Sequence, residues 1–185
     1  MESVPRIAPL VYYSLWVALS RYDSALYREL GRRYRVTVEA VEHTKAIAAL
    51  SEIPVRTLVE DLLVSPDYPE IVHFAGVVAL GELGGRKRPR STPGRGADRL
   101  GRALRMLKKL LPAVALEVEQ IGSGRVFRCR RSPFVVNGCG KPTCGFISGF
   151  VTAALDRGGH PGLKAEESLC ASRQTDLSYC LFELQ

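Results

Sequence analysis

Apolar residues follow two periods along this chain, and the change from one to the other comes near Pro112. In "SEIPVRTLVEDLLV", Val55, Leu58, Val59, Leu62 and Leu63 recur at i, i+3, i+4, i+7 and i+8. That spacing draws one apolar stripe along a helix and leaves Arg56, Thr57, Glu60 and Asp61 on the wet side. Ser51 and Pro54 are suitable start signals. "ADRLGRALRMLKKLL" repeats the pattern, with Leu100, Ala103, Leu104, Leu107 and Leu111 on one side and Arg102, Arg105, Lys108 and Lys109 elsewhere on the surface.

Two other stretches are apolar nearly all round. Residues 6–50 read mostly as helix, broken near Arg21–Ser24 and again around Gly31–Val38, and they contain "LVYYSLWVAL". A helix from about Glu70 to Leu83 carries Ile71, Val72, Phe74, Val77, Val78 and Leu80 on more than one face. Such helices must be covered on several sides. The two together carry more apolar surface than one small domain is expected to hide, which predicts a homodimer.

After Pro112 the period becomes two. "VALEVEQ" and "RVFRCRR" flank "IGSG" as a hairpin, with Val114, Leu116 and Val118 alternating with Ala115, Glu117 and Glu119. A helix from about Thr143 to Asp156 follows, ended by Gly158–Gly159. "LKAEESLC" and "SYCLFEL" supply the last two strands, so the second half reads hairpin, helix, hairpin. The expected fold class is α+β: a helical layer on a small antiparallel sheet, in a single domain spanning residues 1–185. Its parts are a helical one, 1–111, and a mixed one, 112–185.

At 185 residues the chain is long enough for one real core and short for two. No apolar run approaches the roughly 20 residues of a membrane-spanning helix, and no signal-peptide layout opens the chain. The expected compartment is the cytoplasm. A single Asn, three Gln and abundant Arg point weakly toward a heat-adapted source. The formal charge of +7 is concentrated: Arg86–Lys109 holds ten Lys/Arg against one acid, Asp98. Its Gly- and Pro-rich part, about 84–97, reads as a mobile loop. The plain reading of this band is a solvated face; the sharper one is weak, salt-sensitive contact with a polyanion through 86–109.

No catalytic constellation is visible. His43, His73 and His160 are far apart, and His73, set among apolar residues, reads as a satisfied core histidine. Phosphate-loop and dinucleotide fingerprints are absent. Gly145 and Gly149 in "GFISG" read as a close-packing face toward the sheet.

Five cysteines in a cytosolic chain favour metal over disulfides. A hairpin from Glu167 to Cys180 can gather Glu167, Cys170 and Cys180 at one end. Cys144, in the first turn of the preceding helix, is the best fourth ligand, because a helix N-terminus favours thiolate. Cys139 and Cys129 are the alternatives. Buried cysteines acting as small hydrophobes would explain the same residues without a metal.

"CGFISGF", "EESLCA" and "YCLFEL" together resemble the C-terminal pattern of the 4-vinyl-reductase domain family. Related phenol-sensing input domains of bacterial transcription activators bind zinc through a Cys, Glu, Cys, Cys set. The resemblance therefore implies zinc on Cys144, Glu167, Cys170 and Cys180. "RTLVEDLLV", the buried helix after it and the first hairpin also resemble TRAPP-type tethering subunits of the same superfamily. Four protein ligands leave no open position, so such a zinc is structural. Its surplus negative charge could be offset by Lys141 or Arg173. What the resemblance implies for function is non-catalytic binding or sensing of a small apolar or aromatic molecule, with Val72, Phe74, Val77, Phe127, Phe146 and Phe150 as the pocket wall. The alternatives are a dimeric scaffold and, less favoured, a tetrapyrrole vinyl reductase.

Overall fold

The computed structural model describes residues 8–36, 51–84, 96–121, 124–174 and 176–185. The expected helical stretch beyond residue 36, most of the basic loop and the centre of the "IGSG" turn lie outside the described residues.

Helix α1 (Pro9–Tyr22) begins on a proline, whose missing N–H costs nothing in a first turn. Asp23 ends it and caps α2 (Ser24–Tyr34): its carboxylate accepts the Leu26 N–H at 2.9 Å and the Ser65 hydroxyl at 2.7 Å. Arg35, in the left-handed conformation at φ 55°, closes α2. The expected break near Arg21–Ser24 is this capped corner. Helix α3 (Val55–Leu62) buries Val55, Leu58, Val59 and Leu62, as its stripe requires.

Helix α4 (Tyr68–Gly84) shows why its sequence is apolar all round. It runs between α1 on one side and α6 (Gly145–Arg157) on the other. Ile71, Val72, Ala75, Ala79 and Leu80 are buried there. The surplus apolar surface from which a homodimer was expected is thus largely absorbed inside one chain. His73 departs from the sequence reading: it lies on the exposed side of α4, not in the core. Helix α5 (Gly96–Leu110) buries Leu100, Ala103, Leu104 and Leu107 and exposes Arg102, Arg105, Lys108 and Lys109.

The sheet is antiparallel in the order β1 (Ala115–Ile121), β2 (Gly124–Arg130), β4 (Tyr179–Leu184), β3 (Ala165–Leu169). The chain therefore returns to place its last strand beside β2 in the interior and leaves β3 at an edge. Six helices, among the described residues, and this four-stranded sheet make an α+β fold. On one face Phe127 stacks on Phe182 at 4.7 Å between centroids, and Cys129 stands opposite Cys180. The other face carries ion pairs from Arg128 to Glu119 and from Arg130 to Glu117, with both arginines over Tyr179. Val118 was expected to share the buried side of β1 with Val114 and Leu116, yet it is 52% exposed. Val114 is buried and Leu116 partly so.

The glycines of α6 do their work against a helix. A Cβ on Gly149 would overlap the backbone of His73, and one on Gly76 would overlap that of Phe146. A Cβ on Gly145 would meet Val72 Cγ2 at 2.7 Å. The close approach expected toward the sheet is made toward α4 instead.

Candidate metal centre

Four segments converge where the start of α6 meets the β3–β4 end of the sheet. Cys144 is the N-cap residue of α6. The loop before it is fixed by Phe134 stacked on Phe146 at 4.9 Å and by the Val136 N–H donating to Ser172 Oγ at 3.0 Å. Tyr68 donates its hydroxyl to the Thr143 carbonyl at 3.1 Å, and Thr143 and Ser172 share a buried hydrogen bond. Position 144 is therefore held by α4, by the loop and by the β3–β4 connection at once.

Glu167 and Cys170 reach the same point through an irregularity in β3. Glu167 pairs with Phe182 but Leu169 pairs with Leu181, so Ser168 is one residue extra. In an unbroken strand residues 167 and 170 would point to opposite faces. A one-residue bulge shifts the phase and brings Cys170 round to the side of Glu167. Cys180 arrives from the interior strand β4, in register with Cys129.

The ligand atoms of Cys144, Glu167, Cys170 and Cys180 all lie within 4.8 Å of one another. Cys144 Sγ is 3.4 Å from Cys180 Sγ, which is 3.8 Å from Cys170 Sγ. Zinc–sulfur bonds of about 2.3 Å in a tetrahedron set sulfurs roughly 3.8 Å apart. Backbone donors surround the cluster: Thr143 N–H faces Cys170 Sγ at 3.5 Å, Ala171 N–H faces Cys180 Sγ at 3.5 Å, and Cys144 N–H donates to Glu167 Oε2 at 3.2 Å. Glu167 Oε1 is buried with no hydrogen-bond partner. A buried carboxylate oxygen without a donor is costly unless a cation takes it.

Four acidic groups crowded out of water cannot all ionise by themselves. Burial, and the charge of Cys170 behind it, push Glu167 up to about 9. Cys144 is raised well above its ordinary value by its hydrogen bonds to Cys170 and Cys180 and then by burial. Cys170 is lowered, because Cys144 and then Cys180 donate to it. A divalent cation would remove this conflict by favouring all four charged forms together.

The four residues implied by the sequence resemblance are thus close enough to hold a metal ion. The two alternative cysteines stand apart from the set. Cys129 is buried on β2, and burial pushes its thiol up to about 12. Cys139 is half-buried, with its Sγ 3.3 Å from the Lys141 carbonyl oxygen. Lys141, considered as a charge offset, donates its ammonium to the Leu63 carbonyl at 3.4 Å, and Arg173 is exposed.

The six residues expected to wall a pocket lie in different surroundings. Val72, Phe127, Phe146 and Phe150 are buried in the core. Val77 is half-buried, and Phe74 packs edge-on against Tyr22 beneath the Arg21 guanidinium. A cleft of about 1050 Å³ opens elsewhere, between the starts of α1 and α3, the end of α5 and the loop after β2. Sequence reasoning missed it, because its lining comes from five separated stretches with no shared motif.

No protein-family model matches this chain, and no curated protein matches it. An H-NOX protein shares the fold. It comes from S. oneidensis, in the Fe(II)NO ligation state, and aligns with a TM-score of 0.57 at 13% identity, over 97% of this chain and 98% of that one. At that identity the likeness concerns the fold alone. No helix among the described residues is long and apolar enough to cross a membrane.

Proposed function

We propose that this chain is a non-catalytic small-molecule-binding domain whose sheet is tied to its helices by one structural zinc on Cys144, Glu167, Cys170 and Cys180. The observation that supports the proposal is the Cys₃Glu cluster, in which three thiols and a carboxylate with an unpartnered buried oxygen have their ligand atoms within 4.8 Å of one another. All four ligands come from the protein, so the metal has no open position for a reacting water. Its work is mechanical: it joins α6, β4 and the bulged end of β3, where the hydrogen-bond ladder is interrupted. The 4-vinyl-reductase resemblance supports the same ligand set, and the H-NOX-like fold supports a ligand-binding role by analogy of architecture only.

The test is metal content together with native mass. Protein prepared without chelator should carry about one zinc per chain. Cys170→Ser should lose most of it, whereas Cys129→Ser and Cys139→Ser should retain it. Equal metal in Cys170→Ser and Cys129→Ser would overturn the assignment. A small organic molecule retained in the native mass spectrum would support the binding role, and sedimentation at 20.3 kDa or at twice that mass would decide whether the domain works as a homodimer.

A further inference from the structure

The cleft beside α3 has a mixed character that a plain surface hollow lacks. Its walls include Ile53 and Leu177, with Tyr12 held in place by the hydrogen bond its hydroxyl donates to the Ile53 carbonyl at 2.6 Å. Its inner end is formed by Cys129, Ser132 and Ala171. Two of these touch the cysteine cluster: Ser132 Oγ is 3.1 Å from Cys144 Sγ, and the Ala171 N–H faces Cys180. The cleft and the cysteine cluster therefore share a wall.

The charge of the lining is one-sided. Arg56, Lys109 and Arg131 contribute to it against a single acid, Glu52. Arg56 is paired with Glu60 at 3.2 Å. Among the described residues, Lys109 and Arg131 have no carboxylate partner. Arg131 also sits at φ 59°, in the left-handed region that favours glycine.

We propose that this cleft binds an organic acid, a flat apolar body bearing one anionic group, and that Arg131 is the contact for that group. The inference rests on the binding-domain reading above and names the ligand class for it. The volume, about 1050 Å³, lies just above the roughly 300–1,000 Å³ usual for small-molecule sites. Apolar walls take up the body of the ligand, and the unpaired cations select its charge and fix its orientation.

The experiment uses two fluorescent probes of similar body and different charge. One is 8-anilinonaphthalene-1-sulfonate, an aromatic anion; the other is N-phenyl-1-naphthylamine, which is neutral. Zinc-loaded protein should bind the anion saturably at one site per chain and more tightly than the neutral dye. Arg131→Gly should weaken the anion by about tenfold, the scale of one lost charged contact. It should leave the neutral dye within about twofold. The same variant should melt at or above the wild-type temperature, because glycine relieves the left-handed backbone, so lost binding cannot be put down to lost folding. Unchanged anion affinity in Arg131→Gly, equal weakening of both dyes, or no saturable binding by zinc-loaded protein would each overturn the proposal. Anion binding by protein that takes up no zinc when zinc is supplied would instead reject the zinc clamp and leave the cleft standing.

Discussion

Gly149 of α6 lies so close to His73 of α4 that a methyl group on the glycine would overlap the His73 carbonyl oxygen. Gly76 on α4 answers it, because a Cβ there would overlap the backbone of α6 at Phe146 and Phe150. The two helices meet backbone to backbone, and neither obstacle is a side chain that can swing away. Gly149→Ala should therefore cost at least about 2–3 kcal/mol, the upper range for overpacking. Gly81→Ala is the control. Its new Cβ would find only Arg157 Nη2 at 3.5 Å, an ordinary contact, and removing a glycine from a helix interior gains about 0.5–1 kcal/mol. Urea unfolding of the three proteins should rank Gly81→Ala above wild type and Gly149→Ala well below. Equal midpoints for the two variants would mean that the helices are not in backbone contact.

That contact marks the limit of what the sequence discloses. The stripes of α3 and α5 were legible because an amphipathic helix has one answer to where its apolar side goes. Helices α1 and α4 were legible as buried, yet composition does not say what buries them. For α4 the cover is two other helices of the same chain, so the apolar excess gave no sign of a partner. The Gly145–Gly149 spacing announced close packing without naming the surface opposite. In the sheet, Val118 fits the period-two pattern yet is 52% exposed, because alternation says which residues share a face and not how much of that face is covered. The cysteine set was open between Cys144, Cys139 and Cys129 on spacing alone, because long-range contacts of Tyr68, Phe134 and Ser172 place Cys144; the extra residue at Ser168, which turns Cys170 toward Glu167, is likewise signalled by no residue type.

The corner between α1 and α2 yields a prediction about acid stability. Asp23 is held below the ordinary aspartate value, first by the Leu26 N–H and then by the Ser65 hydroxyl. A carboxyl whose folded value is depressed stabilises the fold fully above its unfolded value. That stability is lost as pH falls through the folded value. Asp23→Ala should cost about 1–2 kcal/mol at pH 7, as lost N-caps do. Asp23→Asn keeps the cap and should lie within about 0.5 kcal/mol of wild type. The asparagine variant should also lose less stability between pH 5 and pH 3, having no carboxyl to protonate at this corner. Parallel acid limbs for wild type and Asp23→Asn would show that Asp23 does not contribute to them.

The cluster should give a pH dependence that the metal steepens. Without metal, Glu167 stands at about 9 against an ordinary 4.5, chiefly through burial. In that window the folded chain keeps a proton that the unfolded chain has released. Linkage then requires this group's contribution to stability to fall as pH rises from about 4.5 to about 9. Cys170, held low in the same cluster, contributes with the opposite sign, so the two offset each other in the stripped chain. Zinc tips the balance toward high pH. It must displace the protons of Glu167, Cys144 and any other ligand still protonated, so its affinity climbs with pH, and zinc bound only to the folded state adds its binding energy to stability. Melting temperatures from pH 5.5 to 8.5, with and without chelator, should therefore diverge: the gap between loaded and stripped protein widens as pH rises and narrows toward pH 5.5. In Glu167→Gln, which has no proton to surrender and no carboxylate to offer, the loaded protein should hold zinc more weakly, and the gap should widen less with pH. A constant gap across the range, or the same widening in wild type and Glu167→Gln, would mean that the carboxyl does not carry the conflict that the metal resolves.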